Sequence, residues 1–579
     1  MSFQRRAGKG RRPRVHFYSK MSRACSERTL SAIVERCLGQ IQDDRLAQSL
    51  RLSFEHNTLH LWADWCDAYQ SFSSNDYRWL RQIVAFRSKS DDLDLGIDRQ
   101  AAAWEKYCES ELACRVVNRN LDSSQWKPFP LSEQVFLYAR QKIAEILGDC
   151  PTLGELDCKF GPGANVSCRS KTTARHKLSA PLGIALESRR SLPQLRDAFP
   201  VLFLDGLFDL QEQPVLEDAS LEFVPKNALA DRTIEIQPLL NTFVQLGIGS
   251  FMKRRLIKFG INLFDQSINR NRARLASLIA GIATLDFSSA SDRIARNLVR
   301  DLLPFEWFNL LESWRCGTVC YKDLRFETEK FSAMGNGYTF ELESLIFYAL
   351  TWATFRAFDI PFRDSEISIF GDDLVCPSKG IAALTQTFEA VGFKLNSKKS
   401  FVDGPFRESC GGDFLHGESV RPCYIKSRLT PAALTTLHNS LFRRGEYEVA
   451  AFVCDQIDGR FRIFGPDGYG DGHLLGDYTP TLMPNRFGAF TFLTNVAITK
   501  PDETRFLQGD SKYPVYCAYV ASTTRCPQDL FPRLRGLPPL LNKEASRWFP
   551  RKGDSDPDDF PSLRGVRGSK SVRVYAFGP

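Results

Sequence analysis

Residues 367–376, ISIFGDDLVC, constrain the fold of this chain more than any other segment. An apolar run that alternates around Ser368 stops at Gly371, two aspartates follow, and an apolar run resumes at once. This pattern predicts two strands joined by a tight turn, because a glycine before acidic residues suits a hairpin. Adjacent aspartates repel each other unless a cation neutralises them, and their hard oxygens suit Mg²⁺. The segment therefore predicts a hairpin with a metal site at Asp372 and Asp373, with an exposed acidic turn as the alternative.

A third candidate ligand lies upstream in residues 281–294, GIATLDFSSASDRI. A short apolar stretch ends at Asp286 and a second acid follows at Asp292, which is typical of a strand that delivers one carboxylate. An unpaired buried charge is costly, and metal binding would remove that cost. A helix that begins at Ser288 or Ser289, with Asp292 in its first turn, is the alternative, and both roles can coexist.

A glycine-rich loop followed by a helix is predicted for residues 332–355. The apolar positions follow the spacing of one helix face, at Leu342, Leu345, Ile346, Ala349, Leu350 and Ala353. The loop before them contains Gly335 and Gly337, which allow a ligand to approach the backbone, and Asn336, which offers a donor and an acceptor. The segment therefore predicts a core helix preceded by a ligand-binding loop.

The order of these segments resembles the palm of template-dependent polymerases, in which an aspartate strand, a glycine loop with its helix and an aspartate hairpin follow one another. The resemblance narrows at LGID (95–98), AWEK (103–106), MGNGYTFELESL (334–345), PFRESCG (405–411) and DGYGDG (467–472). These are similar to segments of the replicase catalytic (beta) subunit of small positive-strand RNA bacteriophages, the levivirus type. The resemblance runs from about residue 90 to about residue 480. The chain departs from that family at Phe370, where tyrosine is usual, and Phe370 is expected beside the metals without ligating them.

The resemblance implies an RNA-directed RNA polymerase, a nucleotidyltransferase that replicates a viral single-stranded RNA genome and starts chains without a primer. It implies an α/β (α+β) right hand with fingers, palm and thumb, whose palm is a small antiparallel sheet flanked by helices. The expected divisions are a basic arm (1–24), an N-terminal region with fingers (25–270), the palm (271–404), a thumb and C-terminal region (405–550) and a disordered tail (551–579). A reverse transcriptase or mitochondrial-virus-type polymerase, and a non-enzymatic RNA-binding protein, are the alternatives.

The chemistry of such an enzyme assigns roles to the acids. Joining a nucleotide to a strand is an in-line displacement, in which two metal ions stabilise the attacking and leaving oxygens. Asp286 and Asp372 are the expected principal ligands of two Mg²⁺ ions, for which Mn²⁺ can substitute, and Asp373 completes the site. Lys398 or Lys399 is expected to protonate the departing pyrophosphate, and the sequence does not distinguish between them.

Nucleotide recognition is expected at two further places. Lys226 and Arg232 match the family's motif for the incoming triphosphate, which a guanidinium fork and a mobile ammonium suit, although solvated surface is the alternative. Similar polymerases recognise the ribose 2′-hydroxyl with an acid after the first metal aspartate and an asparagine in the glycine loop. Those positions are Asp292 and Asn336 in this sequence, with the two loop glycines beside the nucleotide.

RNA contacts are predicted from basic residues. Arg169, Lys171 and Arg175 follow a glycine-proline turn and can line a template channel, with solvated charges as the alternative. The net charge of +8 equals the eight positive charges that precede Glu27, so the remainder of the chain is neutral. That basic arm is expected to bind phosphate or to serve as a solubilising segment, and its Arg-rich, acid-poor composition is also compatible with an organellar presequence.

The expected partners are template RNA, nascent RNA and ribonucleoside triphosphates. The resemblance also implies host elongation factors Tu and Ts and a ribosomal protein, which would supply the RNA binding that a neutral body lacks. The 16 cysteines have no zinc spacing and are typical of a reducing cytoplasm. No apolar run is long enough to span a bilayer, and the expected location is the cytoplasm of an infected bacterium.

Overall fold

The computed structural model describes residues 25–64, 72–90, 95–169, 174–178, 180–203, 214–227, 229–425, 429–482, 489–499 and 566–577, so the basic arm lies outside the described residues. The helices of this part of the chain are α1 (Glu27–Leu38), α2 (Asp44–Glu55), α3 (Ser74–Ser88), α4 (Arg99–Asp122), α5 (Ser132–Leu147), α6 (Ala174–Leu178), α7 (Leu192–Ala198), α8 (Leu239–Lys258), α9 (Ser267–Ala276), α10 (Arg296–Leu302), α11 (Phe305–Trp314), α12 (Thr339–Ala357), α13 (Ile381–Ala390), α14 (Pro431–Arg443) and α15 (Tyr447–Asp455). The strands are β1 (Gly183–Ile184), β2 (Val215–Leu216), β3 (Ala219–Pro225), β4 (Asp231–Ile236), β5 (Ile282–Leu285), β6 (Thr318–Tyr321), β7 (Leu324–Glu327), β8 (Ser368–Phe370), β9 (Asp373–Pro377), β10 (Phe406–Ser409), β11 (Gly412–Leu415), β12 (Glu418–Ser419), β13 (Phe464–Gly465), β14 (Leu474–Leu475), β15 (Thr481–Leu482), β16 (Ala489–Thr499) and β17 (Val566–Phe577).

Several N-terminal helices begin at a side chain that caps their first turn. The side chains of Ser26, Asp43, Ser73 and Asp98 each accept a hydrogen bond from the amide three residues further on. Such a cap stabilises a helix by about 1 kcal/mol because it satisfies an amide that has no partner within the helix. Asp98, from the segment that resembles phage replicases, thus has a structural role as the cap of α4.

A small antiparallel sheet forms the centre of the molecule. β9 lies between β5 and β8 and runs antiparallel to both, with Leu285 opposite Leu374 and Phe370 opposite Asp373. On the free side of β5, Thr284 and Phe401 exchange backbone hydrogen bonds of 3.0 and 2.8 Å. The sheet confirms the predicted hairpin and the predicted α/β class with a small antiparallel palm sheet.

Helix α12 packs beside this sheet and forms the middle of the largest hydrophobic core. The six apolar positions predicted for its buried face are all fully buried. Glu341, Glu343 and Ser344 are also buried, so the helix has no solvent-facing stripe in this part. A helix buried on all sides belongs to the interior of a large domain rather than to its surface.

The hydrophobic residues divide into two main cores that do not follow the sequence order. Residues of α1 to α3, such as Ile33 and Leu50, share a core with residues of α14 and α15, such as Leu437 and Val453. The larger core collects residues between 114 and 393. The N-terminal helices therefore pack with the segment expected to form the thumb and not with the expected fingers, whose boundaries stay a prediction.

A second, mixed sheet lies next to the palm. Its strand order is β4-β3-β6-β7, in which β3 pairs antiparallel with β4 and parallel with β6. The 20-residue helix α8, which follows β4, was not predicted from the sequence. Lys226 directly follows β3 and Arg232 lies in β4, and these are the two cations expected to bind the triphosphate.

The C-terminal segment differs from its prediction. Residues 566–577 form β17, which pairs antiparallel with β16 over its length, so the expected disordered tail is wrong for this stretch. The composition of residues 551–571 suggested disorder, but the final residues, VRVYAF, alternate β-branched and aromatic residues with others and favour a strand. Among the described helices none is long and apolar enough to cross a membrane.

Candidate active site

Gly371 and Asp372 form the two-residue turn that joins β8 to β9, and Asp373 is the first residue of β9. Gly371 has φ +66°, and Asp372 follows it without a positive φ, the signature of a type II′ hairpin turn. The Gly371 amide donates to Ser344 Oγ at 3.0 Å, and a Cβ on Gly371 would lie 2.7 Å from the Phe340 ring. Phe370, the residue that departs from the family pattern, packs edge-on against Phe340 with ring centroids 5.0 Å apart. Phe340 and Ser344 therefore hold the turn against α12.

Asp286 stands directly after β5, at the same end of the sheet as the turn. Its Oδ2 accepts a hydrogen bond from Asn396 Nδ2 at 2.7 Å, and its carbonyl accepts one from the Asn396 amide at 2.9 Å. Its amide donates to Ser400 Oγ at 3.1 Å. Because Leu285 is opposite Leu374, the register places Asp286 across from Asp373. Local strand order thus brings the two predicted acidic segments together.

Asp373 faces the hairpin of β10 and β11. Ser409 Oγ lies 3.5 Å from Asp373 Oδ1, and the Cys410 amide stabilises the carboxylate by hydrogen bonding. Asn269 Nδ2 donates to the Asp373 carbonyl at 3.0 Å. The PFRESCG segment, one of those that resemble phage replicases, therefore supports the third acid of the site.

Burial raises the pKa of all three aspartates. Desolvation is the largest cause for Asp286, Asp372 and Asp373, and it raises the pKa of Asp373 to about 7. Repulsion from Asp372 adds to the increase for the other two aspartates. Lys399 and Lys226 oppose it by lowering the pKa of Asp286 and Asp372. The site holds more negative charge than its surroundings neutralise.

The donor set is suited to a divalent cation. Within the described ranges, no group of three or more histidine, cysteine, aspartate or glutamate side chains is arranged around a single point to hold a metal ion. The three aspartates nevertheless meet at one end of the palm sheet, and their repulsion shows in the raised pKa values. Carboxylates are the hard oxygen ligands that Mg²⁺ prefers, so the residues fit the predicted ion by their chemistry.

Three cations lie around the acids. Arg232 lies opposite Val224 in the β3–β4 pair, and the Lys226 amide donates to the Ala230 carbonyl at 3.2 Å. The side chains of Lys226, Arg232 and Lys399 are exposed to solvent. Partial desolvation lowers the pKa of Lys226, and repulsion from Arg232 and Lys399 lowers it further. A bound polyanion would neutralise the repulsion among these three cations, so the cluster favours binding of a polyanion.

The glycine loop approaches the backbone of the second sheet closely. Gly335 has φ +115°, and a Cβ there would lie 2.1 Å from the Glu235 carbonyl oxygen. A Cβ on Gly337 would lie 2.9 Å from the Leu246 nitrogen in α8. Asn336 Oδ1 accepts a hydrogen bond from the Tyr338 amide at 3.1 Å. The glycines therefore serve contacts within the protein, and their contact with a nucleotide stays a prediction.

Asp292 lies in a 3₁₀ turn, Ala290–Arg293, that follows Asp286. Ser289 occupies the N-cap position, with φ +53° and without a side-chain cap bond, and Asp292 lies in the first turn as the helical alternative predicted. Asp292 Oδ1 accepts a hydrogen bond from Lys330 Nζ at 2.9 Å. The carboxylate is thus fixed before any ligand binds.

The predicted template-binding cations have mixed surroundings. Arg169 pairs with Glu222 Oε1 at 2.6 Å and donates to Ser220 Oγ at 2.9 Å, so β3 holds its guanidinium. Lys171 and the side chain of Arg175 lie outside the described residues. The nearby Lys177 is buried and donates to the carbonyls of the glycine-proline turn at 2.7 and 2.6 Å. The role of these residues in RNA binding stays a prediction.

Comparison with known proteins identifies the family. The profile of the family described as RNA replicase, beta-chain, matches residues 44–451. The chain belongs to this family. The beta subunit of the RNA-directed RNA polymerase of Escherichia virus Qbeta is 35% identical over 463 residues, which cover 76% of this chain and 77% of that protein. The corresponding subunit of Enterobacteria phage SP is 38% identical over 409 residues, or 67% of this chain and 69% of that one.

The chain is an RNA-directed RNA polymerase that synthesises RNA on an RNA template, as these relatives show. The family match excludes a non-enzymatic RNA-binding protein and confirms the resemblance to levivirus-type replicases. Among solved structures, the RNA-dependent RNA polymerase of a human picorbirnavirus is similar with a TM-score of 0.44 and 13% identity, covering 71% of this chain and 82% of that one.

Three residues that contact or lie beside the predicted site residues were not predicted from sequence. Asn396 supports Asp286, Lys330 holds Asp292, and Glu343 is buried behind the turn, where burial and Asp372 raise its pKa well above the usual range. Asn396 lies two residues before Lys398, one of the lysines expected as proton donors, and this proximity is the only local signal in the sequence that could have identified Asn396. The residues adjacent in sequence to Lys330 and Glu343 do not indicate that these two charged side chains are buried.

Proposed function

We propose that this polymerase replicates a viral single-stranded RNA genome, starts chains without a primer and joins nucleotides at the site formed by Asp286, Asp372 and Asp373. One observation carries the assignment of the site. Three desolvated carboxylates and three exposed cations influence one another's pKa values at the same end of the palm sheet. A site for a triphosphate with divalent cations needs both signs of charge in this arrangement.

Asp286 and Asp372 would hold two Mg²⁺ ions, or Mn²⁺ in their place, and Asp373 would complete the site. When bound, the ions supply charge stabilisation at the attacking and leaving oxygens. The protein's contribution is to fix the ligands: Asn396 orients one oxygen of Asp286, and the Cys410 amide and Ser409 hold Asp373. The β8–β9 turn presents Asp372 at its tip.

Lys399 is the better candidate for the proton donor to pyrophosphate. Its charge lowers the pKa of Asp286, Asp372 and Glu408, so its ammonium group lies within electrostatic reach of the site. Lys398 is exposed in the same turn, and its role as an alternative donor stays part of the proposal. An exposed lysine retains its proton at neutral pH and can transfer it to a developing phosphate charge.

Replacement of Arg232 by alanine is expected to raise the nucleotide KM at least about tenfold, because loss of a charge-assisted phosphate contact removes ground-state binding. Steady-state kinetics with each nucleotide on a homopolymer template measures the effect. Arg325→Ala, which removes an exposed arginine from β7 of the same sheet, is the matched control and should leave the nucleotide KM unchanged. An unchanged nucleotide KM in Arg232→Ala would show that Arg232 is a solvated surface residue that does not bind the triphosphate.

Asn336→Ala is expected to reduce the preference for ribonucleotides over deoxynucleotides by about tenfold, since Asp292 and Asn336 are proposed to bind the 2′-hydroxyl. The ratio of the two kcat/KM values is the measurement. A variant with the native ratio would remove Asn336 from the ribose site.

The proposed reaction is tested by incubating the chain, purified together with the host proteins that accompany it, with template RNA, four ribonucleotides and Mg²⁺, with and without a primer. Full-length product without primer is expected. Product that forms only with a primer would contradict primer-independent initiation while leaving the polymerase activity intact.

The proposal extends to the assembly in which the chain works. By similarity to phage replicases, host elongation factors Tu and Ts and a ribosomal protein join the chain in the cytoplasm of the infected bacterium. The neutral charge of the chain outside its basic arm supports a need for additional RNA-binding subunits. The divisions into fingers (25–270), palm (271–404) and thumb (405–550) belong to the same proposal.

A further inference from the structure

A buried lysine stands at the start of the glycine loop. Lys330 is 1% exposed, and its Nζ lies 2.9 Å from Asp292 Oδ1, 3.4 Å from Glu111 Oε1 and 3.8 Å from Glu235 Oε1. The ammonium also lies 3.5 Å from the centroid of the Tyr107 ring. One cation is thus enclosed by three carboxylates and an aromatic face. We call these five residues the Lys330 cluster.

The cluster is held together by more than charge. Tyr107 Oη donates to Glu235 Oε1 at 2.8 Å, which fixes the glutamate beside the lysine. Burial alone would lower the pKa of Lys330, but attraction to Asp292, Glu235 and Glu111 outweighs it and raises the pKa. An ammonium group buried among carboxylates stays charged, and removing one partner leaves the others uncompensated.

The same lysine connects the structural elements expected around the ribose. The Phe331 amide donates to the Ile294 carbonyl at 2.7 Å, directly after the Asp292 turn. The Glu235 amide donates to the Met334 carbonyl at 2.8 Å, which fixes β4 to the glycine loop. Asn336 follows two residues later. The Lys330 cluster therefore lies at the junction of the Asp292 turn, the glycine loop and the strand that carries Arg232.

The carboxylate of Asp292 remains partly accessible to solvent. Its side chain is 19% exposed although Oδ1 is bound to Lys330. Asp292 and Asp372 both raise the pKa of the buried Glu343, so this glutamate lies within electrostatic reach of Asp292 and of the turn. A carboxylate with one oxygen fixed by a buried cation presents its other oxygen in a defined direction.

We propose that Lys330 is a positioning residue for ribose selection: it holds Asp292 Oδ1 so that the other carboxylate oxygen accepts the 2′-hydroxyl of the incoming nucleotide. This inference rests on the proposed role of Asp292 in nucleotide binding. It assigns to the Lys330 cluster a part in specificity and not only in stability. A preset acceptor favours the nucleotide that carries the hydroxyl, because a deoxynucleotide leaves the desolvated oxygen without a donor.

The test compares ribo- and deoxynucleotide kcat/KM values for Lys330→Met, which keeps the chain length of the side chain and removes its charge. The ratio is expected to fall by about tenfold, chiefly through a lower kcat/KM for the ribonucleotide. Lys142→Met is the matched control: Lys142 is also buried, lies 4.4 Å from the Trp352 ring centroid and pairs with Glu145 at 3.0 Å. It should change stability without changing the ratio.

A second variant keeps the proposal testable if Lys330→Met does not fold. Glu235→Gln combined with Lys330→Met returns the formal charge of the cluster to its native value, and it should fold and show the same lowered ratio. Asp292→Ala distinguishes the role of Asp292 in ribose binding from the role of Lys330 in positioning Asp292. An unchanged ratio in Asp292→Ala would refute the ribose role of Asp292 itself. A lowered ratio there, with native ratios in both Lys330 variants, would overturn the positioning role alone and leave Lys330 a structural cation.

Discussion

Asp372→Asn is expected to lower nucleotide incorporation by about a thousandfold or more, because the carboxylate at the tip of the β8–β9 turn would hold the ions that stabilise the displacement. Asparagine keeps the size of the side chain and suits a turn, so the hairpin should remain. Incorporation of labelled nucleotide on a template RNA measures the loss. RNA binding, followed in the same preparation by filter retention, should not change, since Asp372 contributes no contact that the template requires.

The folded state of this variant is expected to be at least as stable as the native chain in the absence of divalent metal. Desolvation raises the pKa of Asp372 in the folded state, so the ionised group opposes folding at neutral pH. Neutral asparagine removes that cost, and thermal unfolding in EDTA would show it as a higher midpoint. Asp359→Asn, at an exposed position with φ +52°, is the control for a neutral replacement in a nearby turn. Near-native incorporation by Asp372→Asn would refute the site.

The second large effect is expected at Gly335. Its φ of +115° strains any other residue, and an alanine Cβ would lie 2.1 Å from the Glu235 carbonyl oxygen. We expect Gly335→Ala to lower the free energy of unfolding by about 3 kcal/mol or more, because the backbone of β4 has no flexible end that can move away. Chemical denaturation followed by circular dichroism measures the change.

Gly260→Ala is the control that distinguishes the backbone strain of a positive φ from the steric clash between a new Cβ and β4. Gly260 has φ +81°, but an alanine Cβ at this position would meet no other atom within 4 Å, so the replacement should cost only about 1 kcal/mol of backbone strain. Equal losses in the two variants would show that the glycine loop does not press against β4. A larger loss at Gly335, accompanied by a lower ribose preference in any protein that folds, would confirm that the loop sets the position of Asn336.

Local patterns predicted the parts of the site that lie close in sequence. The turn at Gly371 and the strand that ends at Asp286 each depend on fewer than ten neighbouring residues, and alternation with a glycine is enough to define them. The antiparallel register then brings the two segments together. The resemblance to phage replicases added the cations, the ribose residues and the enzyme class, which spacing alone did not supply.

Partners distant in sequence could not be predicted. Asn396 meets Asp286 across 110 residues, and Lys330 meets Asp292 across 38, so neither contact leaves a periodic signal. Lys226 and Arg232 were equally compatible with solvated surface until β3 and β4 placed them near the acids. Composition also misjudged residues 566–577, because a low apolar content does not exclude a strand where β-branched and aromatic residues alternate with others.

The core shared by the first three helices and by α14 and α15 has a consequence for how the chain is made. Arg36 of α1 pairs with Glu448 of α15 at 3.1 Å, across 412 residues. A ribosome that adds about 5–20 residues per second needs roughly 20–80 s to cover this separation. During that time the apolar faces of α1 to α3 have been synthesised but their partners have not. The amino-terminal helices therefore cannot complete this core until α15 has been synthesised.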